Sequence, residues 1–251
     1  MSHIEVEHRA AVTHIKMIGS PDRGNPLSEE MVAALLGAMD AAEADDAVKA
    51  MVLSGTERHF CVGADLRDID TREAIAAVLG NWLEGHDKLT RRQKPVIAAV
   101  RGHAVGGGFE LALGCDMIVA AEDARFSLPE TGIGVIPGQQ GTQRIIALAG
   151  RAIATDLALT GRVLSGIEAR ETGIAARAVP ADAVVPTALE IGAAIAERSA
   201  PSIRFAREIL WSASEGHLAQ TFRTERLLAS LVLDTAEKKE RVGAFLAARR
   251  K

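Results

Sequence analysis

Pro95-Val96-Ile97-Ala98-Ala99-Val100-Arg101-Gly102-His103-Ala104-Val105-Gly106-Gly107-Gly108-Phe109-Glu110 is the stretch on which the fold turns. Its first six residues are an apolar run without polar alternation, the pattern of a strand buried on both faces of a sheet. Three glycines follow, then a helix predicted over 109–113 with a carboxylate in its first turn. Glycine lets the backbone turn tightly and come close to a ligand. A helix N-terminus presents free N–H groups and a partial positive charge. Strand, glycine turn and helix together suit a phosphate, or an oxyanion that develops during a reaction. The stretch has neither the Lys-Ser/Thr of a P-loop nor the G-x-G-x-x-G of a dinucleotide fold. Taken alone it also fits a tight turn whose glutamate simply favours the helix dipole.

Working outward, 6–9 and 12–18 alternate and read as a strand pair, and 19–26 is a turn-rich loop. Ser28 caps a helix to about residue 44, with Met31, Leu35, Leu36 and Met39 on its apolar face. Strands are predicted at 48–53, 116–121 and 124–127, and a helix over 71–91. Pro137 is expected to open a further helix, because proline suits the first helical position. From residue 151 onward the pattern is helical, broken only near 175–179. Strands alternating with helices give an α/β class. Two regions follow: an alternating core over 1–195 and a helical region over 196–251.

Composition narrows the function. In 251 residues, 29 Lys+Arg face 33 Asp+Glu, for a net charge of −4, which argues against nucleic acid as the main partner. At 48% hydrophobic the chain can bury a core and is not disordered. No apolar run approaches the length of a bilayer span, and the opening residues carry no signal core, so a cytoplasmic protein is expected. Cys61 and Cys115 form neither a disulfide framework nor a metal spacing. The seven histidines contain no H-x-x-x-H or H-x-x-H pair, so no metal site is expected. No serine sits in a G-x-S-x-G elbow. Tyrosine is absent, so no phenol serves as acid or base. The excess of arginine over lysine and the abundant alanine suggest a GC-rich bacterial source.

Two further segments could carry chemistry. Phe126-Ser127-Leu128-Pro129-Glu130-Thr131-Gly132 sets a second glutamate among apolar and small residues. A carboxyl there would be partly desolvated, with a raised pKa suited to general acid work; equally, it could cap a turn. Phe60-Cys61-Val62-Gly63-Ala64-Asp65-Leu66 could aim another backbone N–H at the glycine turn, or Asp65 could simply cap the next segment.

In order, the 60–66, 95–112 and 126–144 segments resemble the enoyl-CoA hydratase/isomerase (crotonase) family. Asn25-Pro26-Leu27-Ser28, Leu159-Thr160-Gly161-Arg162 with Ala169, and Gly243-Ala244-Phe245-Leu246 extend the likeness over essentially the whole chain. The resemblance implies a spiral of ββα turns with a C-terminal helical trimerisation region, in trimers or hexamers formed as dimers of trimers. It implies an acyl-CoA thioester substrate, coenzyme A entering as part of that substrate, and no separate cofactor. The backbone N–H groups of Ala64 and Gly107 would hold the thioester oxygen. In the hydratase pattern Glu110 activates the water, Glu130 exchanges the α-carbon proton, and Gly138 helps place the water. Val62, Asp65 and Leu66 would line the acyl-CoA site, and Arg23 would face the CoA phosphates.

The implied activity is syn hydration of a trans-2-enoyl-CoA to a 3-hydroxyacyl-CoA, in fatty-acid or related acyl-CoA catabolism. An isomerase using the same oxyanion hole is the alternative, and a non-catalytic acyl-CoA binder is a third. Both glutamates count against single-glutamate isomerases and against binders that lack them. The missing tyrosine counts against members that use one. The sequence departs from the family pattern at three places. Gln139-Gln140 replaces Ala-Gly, Asp22 stands where a lysine is usual, and Ala247-Ala248-Arg249 stands for Glu-Lys-Arg.

Overall fold

The computed structural model describes residues 3–19, 24–65, 67, 73, 75, 79, 84–216 and 218–248. The chain divides into two compact units, Met1–Ala193 and Ala194–Lys251.

The first unit opens on an antiparallel hairpin, β1 (His3–Arg9) and β2 (Val12–Ile18). Helix α1 (Glu29–Ala44) starts where Ser28 accepts the Met31 N–H at 3.2 Å, and it buries Met31, Leu35, Met39 and Ala42 along one stripe. The chain then winds. Strand β3 (Ala50–Ser54) is followed by β4 (His59–Cys61) and the short helix α2 (Glu84–Thr90). Next come β5 (Val96–Val100), β6 (His103–Val105) and helix α3 (Gly107–Leu113), then β7 (Met117–Ala121) and β8 (Arg125–Ser127). Helix α4 (Gly141–Thr160), β9 (Leu164–Ser165), helix α5 (Gly166–Glu171), β10 (Arg177–Val179) and helix α6 (Val184–Ala196) complete the series.

The strands form two sheets, β1-β2-β3-β5-β7-β10 and β4-β6-β8-β9. In three successive turns the first strand joins the large sheet and the second joins the small one, each parallel to its counterpart from the turn before. The result is the expected α/β spiral. Strands β3 and β5 are buried at every position, which is why they read as unbroken apolar runs. Phe60, Phe109 and Phe126 are fully buried, with the rings of Phe109 and Phe126 5.0 Å apart. Each such ring contributes about 2–3 kcal/mol by leaving water. That contact fixes α3 against β8.

In the second unit helices α7 (Ala200–Glu215), α8 (Leu218–Val232) and α9 (Ala236–Ala248) follow one another. Leu227, Leu231, Leu233, Phe245 and Leu246 are each at least half exposed. Among the described residues no helix is long and apolar enough to cross a membrane.

Three expectations need correcting. The helix expected at Pro137 begins at Gly141 instead, because the N–H groups of 139 and 141 are committed to Glu110 rather than to a helical turn. The region after residue 151 contains β9, which closes the small sheet antiparallel to β8. Strand β6 lies between the buried strand and the glycines, where the sequence reading has no strand. Of the helix predicted over 71–91, residues 71, 72, 74, 76–78 and 80–83, Trp82 included, lie outside the described residues, and Glu84–Thr90 is helical.

Candidate active site

Three elements meet at the glycine turn. Gly106 ends β6 with φ 53 and ψ −128, a conformation that side-chain-bearing residues rarely adopt. Its N–H donates to Ser127 O at 2.9 Å, tying the turn to the end of β8. Gly108 lies so close to the end of β4 that an added Cβ would sit 2.1 Å from Cys61 O. Backbone therefore packs on backbone, and a Cβ built on Gly63 would lie 2.9 Å from the Gly107 nitrogen. The carbonyl of Gly63 accepts from Leu27 N at 2.8 Å, which pins the 63–65 turn from its other side. Among the described residues, neither the Ala64 nor the Gly107 N–H donates to a carbonyl. Two N–H groups without a carbonyl partner, on backbone segments in close contact and one of them at a helix start, are donors of the kind that can receive an oxygen gaining negative charge.

Glu110 points from the first turn of α3 into the buried interior, with 2% of the residue exposed. Its Oε1 accepts the N–H of Gln139 at 2.8 Å and that of Gly141 at 2.9 Å. Burial raises its pKa, and the N–H groups of Gly141, Gln139 and Gly138 offset only part of that rise. Glu130 opens the 3-10 turn Glu130–Ile133 after β8. Its Oε1 lies 2.8 Å from where a Cβ on Gly106 would stand, and its Oε2 is buried without a partner. Burial first, and then the charge of Glu110, pushes its carboxyl up to about 7. Between the two, a negative charge is better supported on Glu110, whose Oε1 accepts two N–H groups, than on Glu130, whose Oε2 accepts none. Such a pair can take a proton with one member and give one with the other.

Gln139 joins this group. Its Oε1 is buried, has no partner, and lies 2.9 Å from where a Cβ on Gly107 would be. Its neighbour Gln140 turns away with φ 69, is exposed, and accepts from Arg144 Nη2 at 2.8 Å. The sequence singled out both glutamines without telling them apart.

The other expected residues lie as follows. Val62 and Asp65 are half-buried beside Ala64, with Asp65 paired to Arg67. Gly138 is exposed in the segment that leads into α4. Arg23 and Leu66 lie outside the described residues. His103 donates from Nδ1 to Arg58 O at 3.2 Å and stacks its ring 5.2 Å from that of His59. Asn25 stands out in the sequence only as part of a motif. It is buried with φ 67 and donates to Phe60 O at 2.7 Å and to Met17 O at 3.2 Å, so it braces β4 from behind. Cys61 is buried next to the receptor, accepts from Gly63 N at 3.4 Å, and has its thiol pushed up to about 12 by burial.

Comparison with known proteins adds an independent line. The family described as Enoyl-CoA hydratase/isomerase matches residues 7–251. A probable enoyl-CoA hydratase of Rhizobium meliloti (strain 1021) is 39% identical over 93% of this chain and 91% of its own length. The 2,3-dehydroadipyl-CoA hydratase of Escherichia coli (strain K12) is 32% identical over 98% of this chain and 96% of its own. The solved structure of an enoyl-CoA hydratase subunit I from Geobacillus kaustophilus HTA426 superposes with a TM-score of 0.93 at 35% identity, covering 98% of this chain and 95% of that one.

Proposed function

The chain belongs to the enoyl-CoA hydratase/isomerase family, and from that premise we propose that it is an enoyl-CoA hydratase. It adds water reversibly, with syn geometry, to a trans-2-enoyl-CoA and yields the 3-hydroxyacyl-CoA. The N–H groups of Ala64 and Gly107 receive the thioester oxygen. Glu110 removes a proton from water, whose oxygen bonds to C3 beside the Gly138 N–H. The π electrons move toward the thioester and become enolate charge on its oxygen. As that charge collapses, C2 takes the proton from Glu130. Val62 and Asp65 line the acyl-CoA site, with Arg23 and Leu66 assigned there on the motif alone.

The observation that carries this reading is the unlike pair of carboxyls on one glycine turn. Glu110 is held by backbone donors, whereas Glu130 has a buried oxygen without any and a carboxyl raised to about 7. Hydration needs both a base for water and an acid for carbon, while moving a double bond needs one carboxylate and no water. Turnover of 2-enoyl-CoA and 3-enoyl-CoA in ¹⁸O-labelled water tests it. Hydratase action puts ¹⁸O into the 3-hydroxyacyl product, and Glu110→Gln and Glu130→Gln each lower the rate by at least about 10². If ¹⁸O never enters product and Glu110→Gln still converts 3-enoyl to 2-enoyl substrate at the wild-type rate, the isomerase reading replaces this one.

The first unit serves as the acyl-CoA core and the second as the region of self-association, in a cytoplasmic homotrimer or dimer of trimers. The exposed leucines and phenylalanines of α8 and α9 support that role. A monomeric mass by light scattering at micromolar concentration would contradict it.

A further inference from the structure

We propose that Gln139 is a specificity-determining residue whose carboxamide hydrogen-bonds a hydroxyl on C4 of the acyl group. The chain would then favour 4-hydroxy-2-enoyl thioesters over their plain alkyl counterparts. The inference rests on the hydratase reading and adds the chemistry of the acyl group to it.

One backbone hydrogen bond and one close approach place the carboxamide. The backbone of Gln139 is anchored by its N–H to Glu110 Oε1 at 2.8 Å. From there the side chain reaches back over the glycine turn, where Oε1 and Cδ lie 2.9 and 3.6 Å from the Cβ position of Gly107. Glu130 Oε1 occupies the equivalent place over Gly106, at 2.8 Å. An amide and a carboxyl thus each approach one of two consecutive glycines of the turn. Gln139 Oε1 is buried and has no donor. An acceptor left so is unfavourable, and a ligand donor that reaches it on binding relieves the cost.

An alkyl chain offers this oxygen nothing. A hydroxyl is both donor and acceptor, so it satisfies the carboxamide in either orientation of its terminal oxygen and nitrogen. The position on the chain follows from the reaction. C1 is held at the N–H groups of Ala64 and Gly107, and C2 and C3 are the reacting carbons. C4 is the first carbon that can carry a hydroxyl without altering the chemistry. A site with a polar group poised for a substrate hydroxyl discriminates against the substrate that lacks it.

The test compares kcat/KM for 4-hydroxybut-2-enoyl-CoA and but-2-enoyl-CoA in wild type and in Gln139→Ala, with the affinities of 4-hydroxybutyryl-CoA and butyryl-CoA measured alongside by calorimetry. Any residue but proline at 139 keeps the N–H to Glu110, so the base stays in place. Wild type should prefer the hydroxylated member of each pair by about ten- to a hundredfold, the effect of leaving a buried acceptor unmade. Gln139→Ala should bring both ratios to near one. Equal wild-type ratios, or a preference that survives in Gln139→Ala, overturn the proposal. If neither enoyl-CoA is hydrated, the hydratase reading fails, and the binding ratio still decides the role of Gln139. If no acyl-CoA binds, both fall together.

Discussion

Gly141→Ala tests whether the placement of one carboxylate limits the reaction. Gly141 begins α4, and an added Cβ would stand 2.6 Å from Cγ and 2.9 Å from Oε1 of Glu110. Carbon atoms pack best at about 3.5–4.0 Å, so the Glu110 side chain must retreat by roughly 1 Å. It is buried and its Oε1 is shared by two N–H groups at 2.8 and 2.9 Å, so a retreat on that scale breaks at least one of these bonds. A displacement of about 1 Å of a catalytic group lowers turnover by about 10². The broken bond lowers stability by about 1–3 kcal/mol. Steady-state kinetics on but-2-enoyl-CoA should show kcat reduced to that extent with KM little changed, because the oxyanion receptor is untouched. Gly37→Ala supplies the comparison. Gly37 lies on the exposed face of α1 with nothing within 4 Å of its Cβ position, so alanine there should raise stability by about 0.5–1 kcal/mol and leave kcat alone. A Gly141→Ala enzyme that folds and turns over at the wild-type rate would remove the held Glu110 carboxylate from the mechanism.

Other outcomes follow from the same geometry. With the Glu130 carboxyl raised to about 7, kcat/KM for hydration should fall as pH rises through about 7, where the proton shared by the two glutamates is lost. Hydration takes up no net proton, so dehydration must show the same limb; a profile flat to pH 9 in either direction would contradict the assignment. Gly107→Pro should lower turnover by about 10²–10³, because it deletes one donor of the oxyanion receptor. Circular dichroism must show the variant folded, and near-full activity in a folded variant would exclude Gly107. Asn25→Ala removes the donor to Phe60 O and Met17 O and should lower stability by about 2 kcal/mol, read as a shift of the urea midpoint.

The parts of this fold legible in the sequence are those with a long or chemically marked signal. Strands β3, β5 and β7 announce themselves as apolar runs because both faces are covered, and α1 does so through Ser28 and its stripe of Met31, Leu35 and Met39. Strands β6 and β9, three and two residues long, are too short for any periodicity to register. They exist because the neighbouring turns present β4 and β8 to them. Pro137 misleads because its local preference for a helix start yields to the demand of Glu110 for the N–H groups of 139 and 141. Glu110 and Glu130 could each be suspected alone, but no spacing rule brings them to one turn; that came from likeness to a family. Gln139 and Gln140 are identical neighbours, and only the left-handed backbone at 140 sends one inward and the other to solvent.

Cys61 places a sulfur nucleophile close to a site proposed to hold an activated acyl group. A thiolate there could attack the thioester carbon and carry the acyl group away from coenzyme A, leaving the enzyme acylated on its own side chain. Only the thiolate does this efficiently. With the thiol pushed up to about 12, the thiolate fraction at neutral pH is on the order of 10⁻⁵. The burial of Cys61 thus does more than fill the core. In the proposed reaction it keeps a rival of the attacking water protonated, so that an electrophile strong enough to take up water can be held near sulfur without being captured by it.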